Sequence, residues 1–348
     1  MSRLLLWLAL AAAPQALQAA PAQQFEQAQD PAERPSIIAP LAASSLLINL
    51  ALAGKRVFAA GERGHVLYSD DAGGSWTQVQ VPASANLTAI YFADDRHGWA
   101  VGHVETILRT GDGGRTWQLA HFDPGNPQPL LDVWFADAER GVAVGAYGVV
   151  YLTSDGGRVW SQVPFEPAPL PGAAEIEADA DELEAEIDLG FEFHLNALAG
   201  GPGKALYLAA EAGRLFRSDD DGVSWRELPS PYDGSFHGVL ALDGEVLLAF
   251  GLRGNLFRSE DGGMNWSAIE TGTTALLNSG ARIDADTVVI VGMAGVMLVS
   301  HDGGRTFALN QQDDRRAISA VLPSGDGALI VAGEDGVRRL PLPGVAPP

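Results

Sequence analysis

The 348-residue sequence contains no cysteine. That absence excludes disulfides, thiolate nucleophiles, thiolate metal ligands and a lipid-modified cysteine at a cleavage site. Positive charge is scarce: 22 Lys and Arg stand against 44 Asp and Glu, for a formal charge of −22. Such a balance opposes binding to phosphate backbones and anionic membrane surfaces, so nucleic acid is not an expected partner. Also missing are H-E-x-x-H, and G-x-S-x-G, Walker or Rossmann loops in a strand-to-helix context. The seven histidines, His65, His97, His103, His121, His194, His237 and His301, show no close metal-ligand spacing. No catalytic constellation, metal or cofactor is therefore predicted.

The first residues read as a secretory signal over 1–22. Arg3 supplies the positive charge, Leu4 to Ala13 the apolar core, and Ala16, Ala19, Ala20 and Ala22 the small residues of a cleavage region. No later stretch approaches the roughly 20 apolar residues that span a bilayer, so the mature chain is expected in the periplasm without a transmembrane segment. Residues 23–35, rich in Gln, Ala and Pro, read as a flexible leader. With no disulfide staples the remainder needs a large core, and 47% apolar residues can supply it.

What is present is repetition. An aspartate turn, hydroxyl-x-Asp-x-Gly-x-polar-aromatic, occurs six times. Its copies centre on Asp71, Asp112, Asp155, Asp220, Asp261 and Asp302, and end on Trp76, Trp117, Trp160, Trp225, Trp266 and Phe307. Short polar side chains bond to nearby backbone, Gly supplies positive φ, and an aromatic restarts a strand, so each copy reads as a hairpin turn with an anchored ring. Six Asp in six equivalent turns read as structural rather than catalytic.

A second column precedes each aromatic by 15 residues: Gly61 to Gly64, Gly102 to Glu105, Gly145 to Gly148, Ala210 to Gly213, Gly251 to Gly254 and Gly292 to Gly295. A seventh copy is Gly333 to Gly336. Each is flanked by short apolar runs, and each unit opens on a further alternating run, from Leu46 to Leu52 in the first to Ile318 to Leu322 in the last. Four strands at a period of 41 to 43 residues predict an all-β, seven-bladed propeller over 36–342, with a tail at 343–348. The seventh blade lacks its outer strand, and Ser36 to Pro40 is the predicted donor, pairing near Val337 to Leu340. Between blades 3 and 4 an insertion, 166–192, holds ten acidic residues and no Lys or Arg. Ile176, Ala180, Leu183 and Ile187 fall at helical spacing within it. The insertion reads as a solvated loop, or alternatively as a docking arm for a basic partner.

Aligning the units places Asn49, Thr88, Asp132, Asn196, His237, Asn278 and Ser319 near the start of successive inner strands, as a polar ring at the channel mouth. The ring either hydrates the channel or binds a ligand. Turns on the same face add Glu62, Arg63, His103, Glu105, Tyr147, Glu211, Arg253, Glu334 and Asp335.

The aspartate turns are those of the Asp-box, or BNR, repeat of sialidases, sortilin-like receptors and other propellers. Gly98-Trp-Ala-Val-Gly102 followed by Thr110-Gly-Asp-Gly-Gly-Arg-Thr-Trp117 most closely resembles the photosystem II stability/assembly factor family, over about Ser36 to Leu342. The resemblance implies a non-catalytic chaperone that holds a membrane-protein intermediate from the lumenal or periplasmic side, and the chain is separately expected to be monomeric. The acidic charge departs from a photosystem client, and Arg63, Arg253 and Arg282 are the main arginines expected on the channel face. Another envelope membrane protein or complex is the substitute client. The enzyme alternative is a sialidase-like glycoside hydrolase, with those three arginines as a carboxylate clamp and Tyr147 and Glu211 as its pair.

Overall fold

In the computed structural model of the chain the described residues are 34–170 and 193–344. The signal segment, nearly all of the leader, most of the acidic insertion with its expected helix, and the end of the tail lie outside them. Among the described residues there are 27 strands in seven antiparallel sheets, six of four strands and one of three, each following chain order. The outcome is the seven-bladed propeller.

Each blade grades from apolar to polar outward, and the residue types explain the grading. Second strands such as Gly98–Gly102, Gly141–Gly145 and Val288–Gly292 are buried at every position, because neighbouring blades cover both faces. Outer strands such as Thr77–Val79 and Ser161–Val163 are short, polar and mostly exposed, which blunts their edges. Seven apolar clusters fill the seven seams between blades. Box aromatics plug these seams. Phe58 of blade 1 stacks on Phe92 of blade 2 at 4.5 Å, and Trp117 meets Phe92 edge-on at 6.0 Å. Gly114 must be glycine, since a Cβ there would enter the Phe58 ring and the backbone is left-handed at φ 72°.

The ends of the sheets are unambiguous. Leu47 pairs with Gly61, so the turn at 62–64 shares the channel-mouth end with the start of the inner strand. Ser69 pairs with Val57, which puts the Asp-box turns at the opposite end.

Closure differs from the sequence expectation. The seventh blade comprises Ile318–Pro323, Ala328–Gly333 and Gly336–Pro341, with no fourth strand. Ser36–Ala39 lies instead against blade 1. The Ser36 N–H donates to the Val81 carbonyl at 2.8 Å, and the Val81 N–H to the Ser36 hydroxyl at 2.9 Å. Gln78 accepts from the Ala39 N–H at 2.7 Å and donates to the Ile37 carbonyl at 2.9 Å. Two flanking prolines, Pro35 and Pro40, offer no N–H and disfavour a regular ladder, whereas the glutamine amides can substitute for a backbone partner. Blades 7 and 1 meet directly through their first and second strands, and the next stretch enters that seam. Ala42 is buried in the seam between blades 7 and 1, where Ala39, Ala43 and Val337 pack against the same cluster.

Candidate functional site: the channel and its mouth

Every inner strand carries an irregularity near its start, where one residue is skipped in the pairing with the second strand. The skipped residues are Ile48, Thr88, Leu131, Asn196, His237, Asn278 and Ser319. Asn49 and Asp132 therefore sit one residue past the bulge, and the seven polar positions are not one equivalent ring. All seven nevertheless line a central cavity of about 760 Å³.

Five of them spend their side chains on the neighbouring blade. Thr88 donates to the Leu130 carbonyl at 2.6 Å, Asn196 to Phe236 at 2.7 Å and Asn278 to Ile318 at 3.1 Å. In each case the acceptor is the carbonyl just before the next bulge. Asn49 and Asp132, one step along, accept instead, from the N–H of Ile90 at 3.3 Å and of Leu198 at 2.7 Å. A bulge exposes backbone groups, and these side chains satisfy them. His237 and Ser319 make no such bond.

Three channel groups are electrostatically perturbed, one of them the Tyr91 phenol, which burial and then the charge of Asp132 push up. Burial pushes the Asp132 carboxyl up to about 6, against the N–H groups of Leu198 and Val133, which favour the anion. Burial pushes the His237 imidazole down, with the charge of Glu211 opposing.

The mouth is built from strained turns. Arg63, Tyr147, Ala212, Arg253 and Ala294 occupy equivalent left-handed positions, at φ between 54° and 58°. Such backbone suits glycine and costs other residues about 1–2 kcal/mol. Arg315, in the linker from blade 6 to blade 7, is also left-handed at φ 57° and lies against Gly295. Arg63, Arg253 and Arg315 are exposed, and among the described residues none of their guanidinium groups makes an ion pair. Arg282 is not among them: it ends the inner strand Leu277–Arg282, opposite Val288 at the Asp-box end, where it is paired with Asp243. The three arginines proposed as a carboxylate clamp are therefore divided between the two ends of the channel. Tyr147 and Glu211 do converge, on His194: the rings of Tyr147 and His194 are 4.9 Å apart and His194 Nδ1 lies 2.7 Å from Glu211.

Blade 2 breaks the glycine column with Glu105, and the reason is a buried polar knot. The Glu105 side chain is fully buried. Its carboxylate accepts from the Tyr151 hydroxyl at 2.6 Å and from Asn126 at 2.8 Å, with His121 Nε2 at 3.6 Å. Burial, then the bond to Glu105 and its charge, push the Tyr151 phenol up. Asn126 lies in a linker two residues longer than the one after blade 1, counted from Trp117 to Leu130 against Trp76 to Leu87, so it can fold over Glu105. Sequence reasoning missed Tyr151, His121, Asn126 and Arg315; the replacement of Gly by Glu and the longer linker were the available signals.

At the opposite end the Asp-box carboxylates are consumed internally. Asp112 accepts from the Thr110 and Thr116 hydroxyls at 2.9 and 2.7 Å and from the N–H groups of Arg115 and Thr116. Asp71 is held down at about 2 by the Ser75 side chain, the Ser75 N–H and the Ser69 hydroxyl. Asp155, Asp220, Asp261 and Asp302 accept from the hydroxyl two residues earlier in the same way. Among the described residues no group of three or more His, Asp or Glu is placed to hold a metal ion.

The family model described as photosynthesis system II assembly factor YCF48 matches residues 69–190. The photosystem II assembly protein Ycf48 of Thermosynechococcus vestitus is 42% identical over 43 residues, 12% of each chain. The photosystem II stability/assembly factor HCF136 of Guillardia theta is 46% identical over 55 residues, 14% of each. The chain thus aligns with only a small fraction of the length of the curated relatives it matches. Among solved structures, YCF48 bound to D1 peptide superimposes with TM-score 0.66 at 16% identity, covering 90% of this chain and 98% of that one. YCF48 from Cyanidioschyzon merolae gives 0.66 at 18%, covering 88% and 98%. A streptogramin B lyase gives 0.67 at 12%, covering 86% and 94%. At these identities the superpositions speak for the fold, while the family-model match over 69–190 and the short alignments with curated relatives make this propeller similar in sequence to the Ycf48 and HCF136 photosystem II assembly factors.

Proposed function

We propose that this chain is a non-catalytic, exported, monomeric scaffold that holds part of a membrane protein or envelope complex against its channel mouth. The observation that carries the reading is the placement of Arg63, Arg253 and Arg315. They are unpaired and left-handed on one face of a chain of charge −22, in which most other described arginines are neutralised by a nearby carboxylate. Strain retained at an exposed position points to a use for the side chain displayed there. The likeness to Ycf48 and HCF136 supports an assembly role, and one of the similar solved structures is YCF48 with a D1 peptide bound. Some relatives are called lipoproteins. This chain has no cysteine to carry a lipid, so its export rests on the signal-like residues 1–22.

A hydrolase reading finds less support. The arginine clamp it needs is split between the two ends, and the Asp-box carboxylates are already saturated with hydrogen bonds. The experiment is site-specific photocrosslinking in solubilised native envelope, with the crosslinker at position 252, in the same mouth turn as Arg253, or, on the Asp-box end, at position 264. One membrane protein captured only from position 252, and lost when Arg63, Arg253 and Arg315 are all changed to Ala, is the expected result. The same captured set from both positions, or turnover of a fluorogenic sialoside that Arg253→Ala abolishes, overturns it.

A further inference from the structure

The seam between blades 7 and 1 presents a surface that the repeat does not explain. In the other blades the third strand is four or five residues long and is covered by an outer strand of two to four. The third strand of blade 7, Gly336–Pro341, is six residues long and has no outer strand paired to it among the described residues, which makes it the longest strand on the outer rim. Long open edges are what folded proteins ordinarily avoid, because unpaired N–H and C=O groups template another strand. The charged residues that would guard this edge are drawn aside: Arg338 is paired with Asp314 and Arg339 with Asp326, both within loops of blades 6 and 7.

The chain has a segment in frame to cover the edge and places it elsewhere. Ala43 stands four residues before Leu47, as Ala83 stands before Leu87, and a Cβ on Gly336 would meet the Ala43 carbonyl as one on Gly64 would meet Ala83. By that spacing Ile37–Ala39 falls where an outer strand belongs. It is held on blade 1 by Gln78 and Gln80 instead, and this leaves Ile37, Ile38 and Leu41 exposed at 78%, 55% and 75%. The 3-10 turn Ala42–Ser44 that follows packs on this strand, which keeps the exposed aliphatic segment tethered within a few residues of the edge.

We infer that the open edge Gly336–Pro341, together with Ile37, Ile38 and Leu41, accepts an extended aliphatic polypeptide segment as the fourth strand of blade 7. The backbone edge specifies an extended partner, and the three aliphatic side chains specify its apolar character. This deepens the scaffold reading and rests on it: the segment belongs to the client, held at the rim while another part meets the arginines.

The test uses the mature chain and a defined probe, the peptide acetyl-Thr-Val-Ile-Val-Thr-amide, with a second version N-methylated at all five residues so that neither edge keeps its donors. Hydrogen exchange of Gly336–Pro341 should slow about tenfold in saturating probe, with no slowing at the outer strands Thr77–Val79 and Ala308–Gln311. The methylated probe, which keeps the side chains and loses donors, should give no slowing. The triple variant Ile37→Ser, Ile38→Ser, Leu41→Ser changes only exposed side chains and should weaken the probe about tenfold. Equal effects of both probes, slowing at the other outer strands, or slow exchange at 336–341 already in the free protein each overturn the inference. The last outcome would mean that Ser36–Ala39 itself occupies the edge. A client captured from position 252 while this edge stays bare would remove the inference and leave the scaffold reading intact.

Discussion

The two ends of the same repeat are built on opposite terms. At the Asp-box end, carboxylate, hydroxyl and glycine satisfy one another within eight residues, and five of the six boxes add a side-chain donor, Ser75, Thr116, Ser224, Asn265 or Thr306, to the second carboxylate oxygen. At the mouth, six of the seven equivalent turns carry Arg, Val, Tyr or Ala in a backbone that prefers glycine, against Ala72 and Asp221 alone in the boxes, and the guanidiniums of Arg63, Arg253 and Arg315 make no ion pair among the described residues. Regularity at one end is the mark of stability. Departure from it at the other, at a cost in strain, is where recognition is to be sought.

Four changes sharpen or break that contrast. Asp112→Ala removes four hydrogen bonds from a turn and should cost about 2–4 kcal/mol in denaturant unfolding while leaving client capture unchanged. A loss of capture would collapse the distinction between the ends. Glu105→Ala strands the buried Tyr151 hydroxyl and Asn126 amide and should cost about 2–3 kcal/mol, with Glu105→Gln milder because it keeps one acceptor. Calorimetry of the two variants checks this, and equal melting temperatures would show that the knot adds nothing to stability.

Smaller effects test the channel and the rim. The Asp132 carboxyl has a folded value of about 6, above that of an unfolded aspartate, so its contribution is most favourable below about pH 4 and declines as pH rises through 6. Asp132→Asn should therefore flatten the stability profile between those limits and raise stability at pH 7 by about 1 kcal/mol, the figure being reduced for water in the channel. An unchanged profile refutes the perturbation. Arg253→Gly relieves a left-handed residue at the expense of a looser unfolded chain, for a net gain of up to about 1 kcal/mol, while capture at the mouth weakens. Loss of stability and of capture together would make Arg253 a structural residue like those of the boxes.

Much of the fold was legible because it is written by local chemistry at a fixed period. Asp112, Gly114 and Trp117 announce a turn and its anchor from within one octet, and seven glycine columns count the blades. What depends on contacts between distant residues was not legible. The Glu105 to Tyr151 bond joins positions 46 apart, and a single-residue bulge shifts Asn49 and Asp132 out of line with Thr88 and Asn196, which counting from the glycine column cannot reveal. The missing outer strand likewise assigned Ser36 to Pro40 to the last blade, since a count of strands carries no information about Gln78 and Gln80, whose amides offered a competing berth. Arg282 was misplaced for a simpler reason: it belongs to an inner strand, but to its far end.

The side-chain bonds between inner strands join blade 1 to 2, 2 to 3, 3 to 4, 4 to 5 and 6 to 7, and none is made from His237 toward blade 6 or from Ser319 toward blade 1. Blades 5 and 6 are tied instead at the Asp-box end, where Arg282 pairs with Asp243. Around its bore the molecule is thus a collar with one joint, between blades 7 and 1, that no such bond among the described residues spans, and any widening of the bore to admit a bulkier guest would be taken up there.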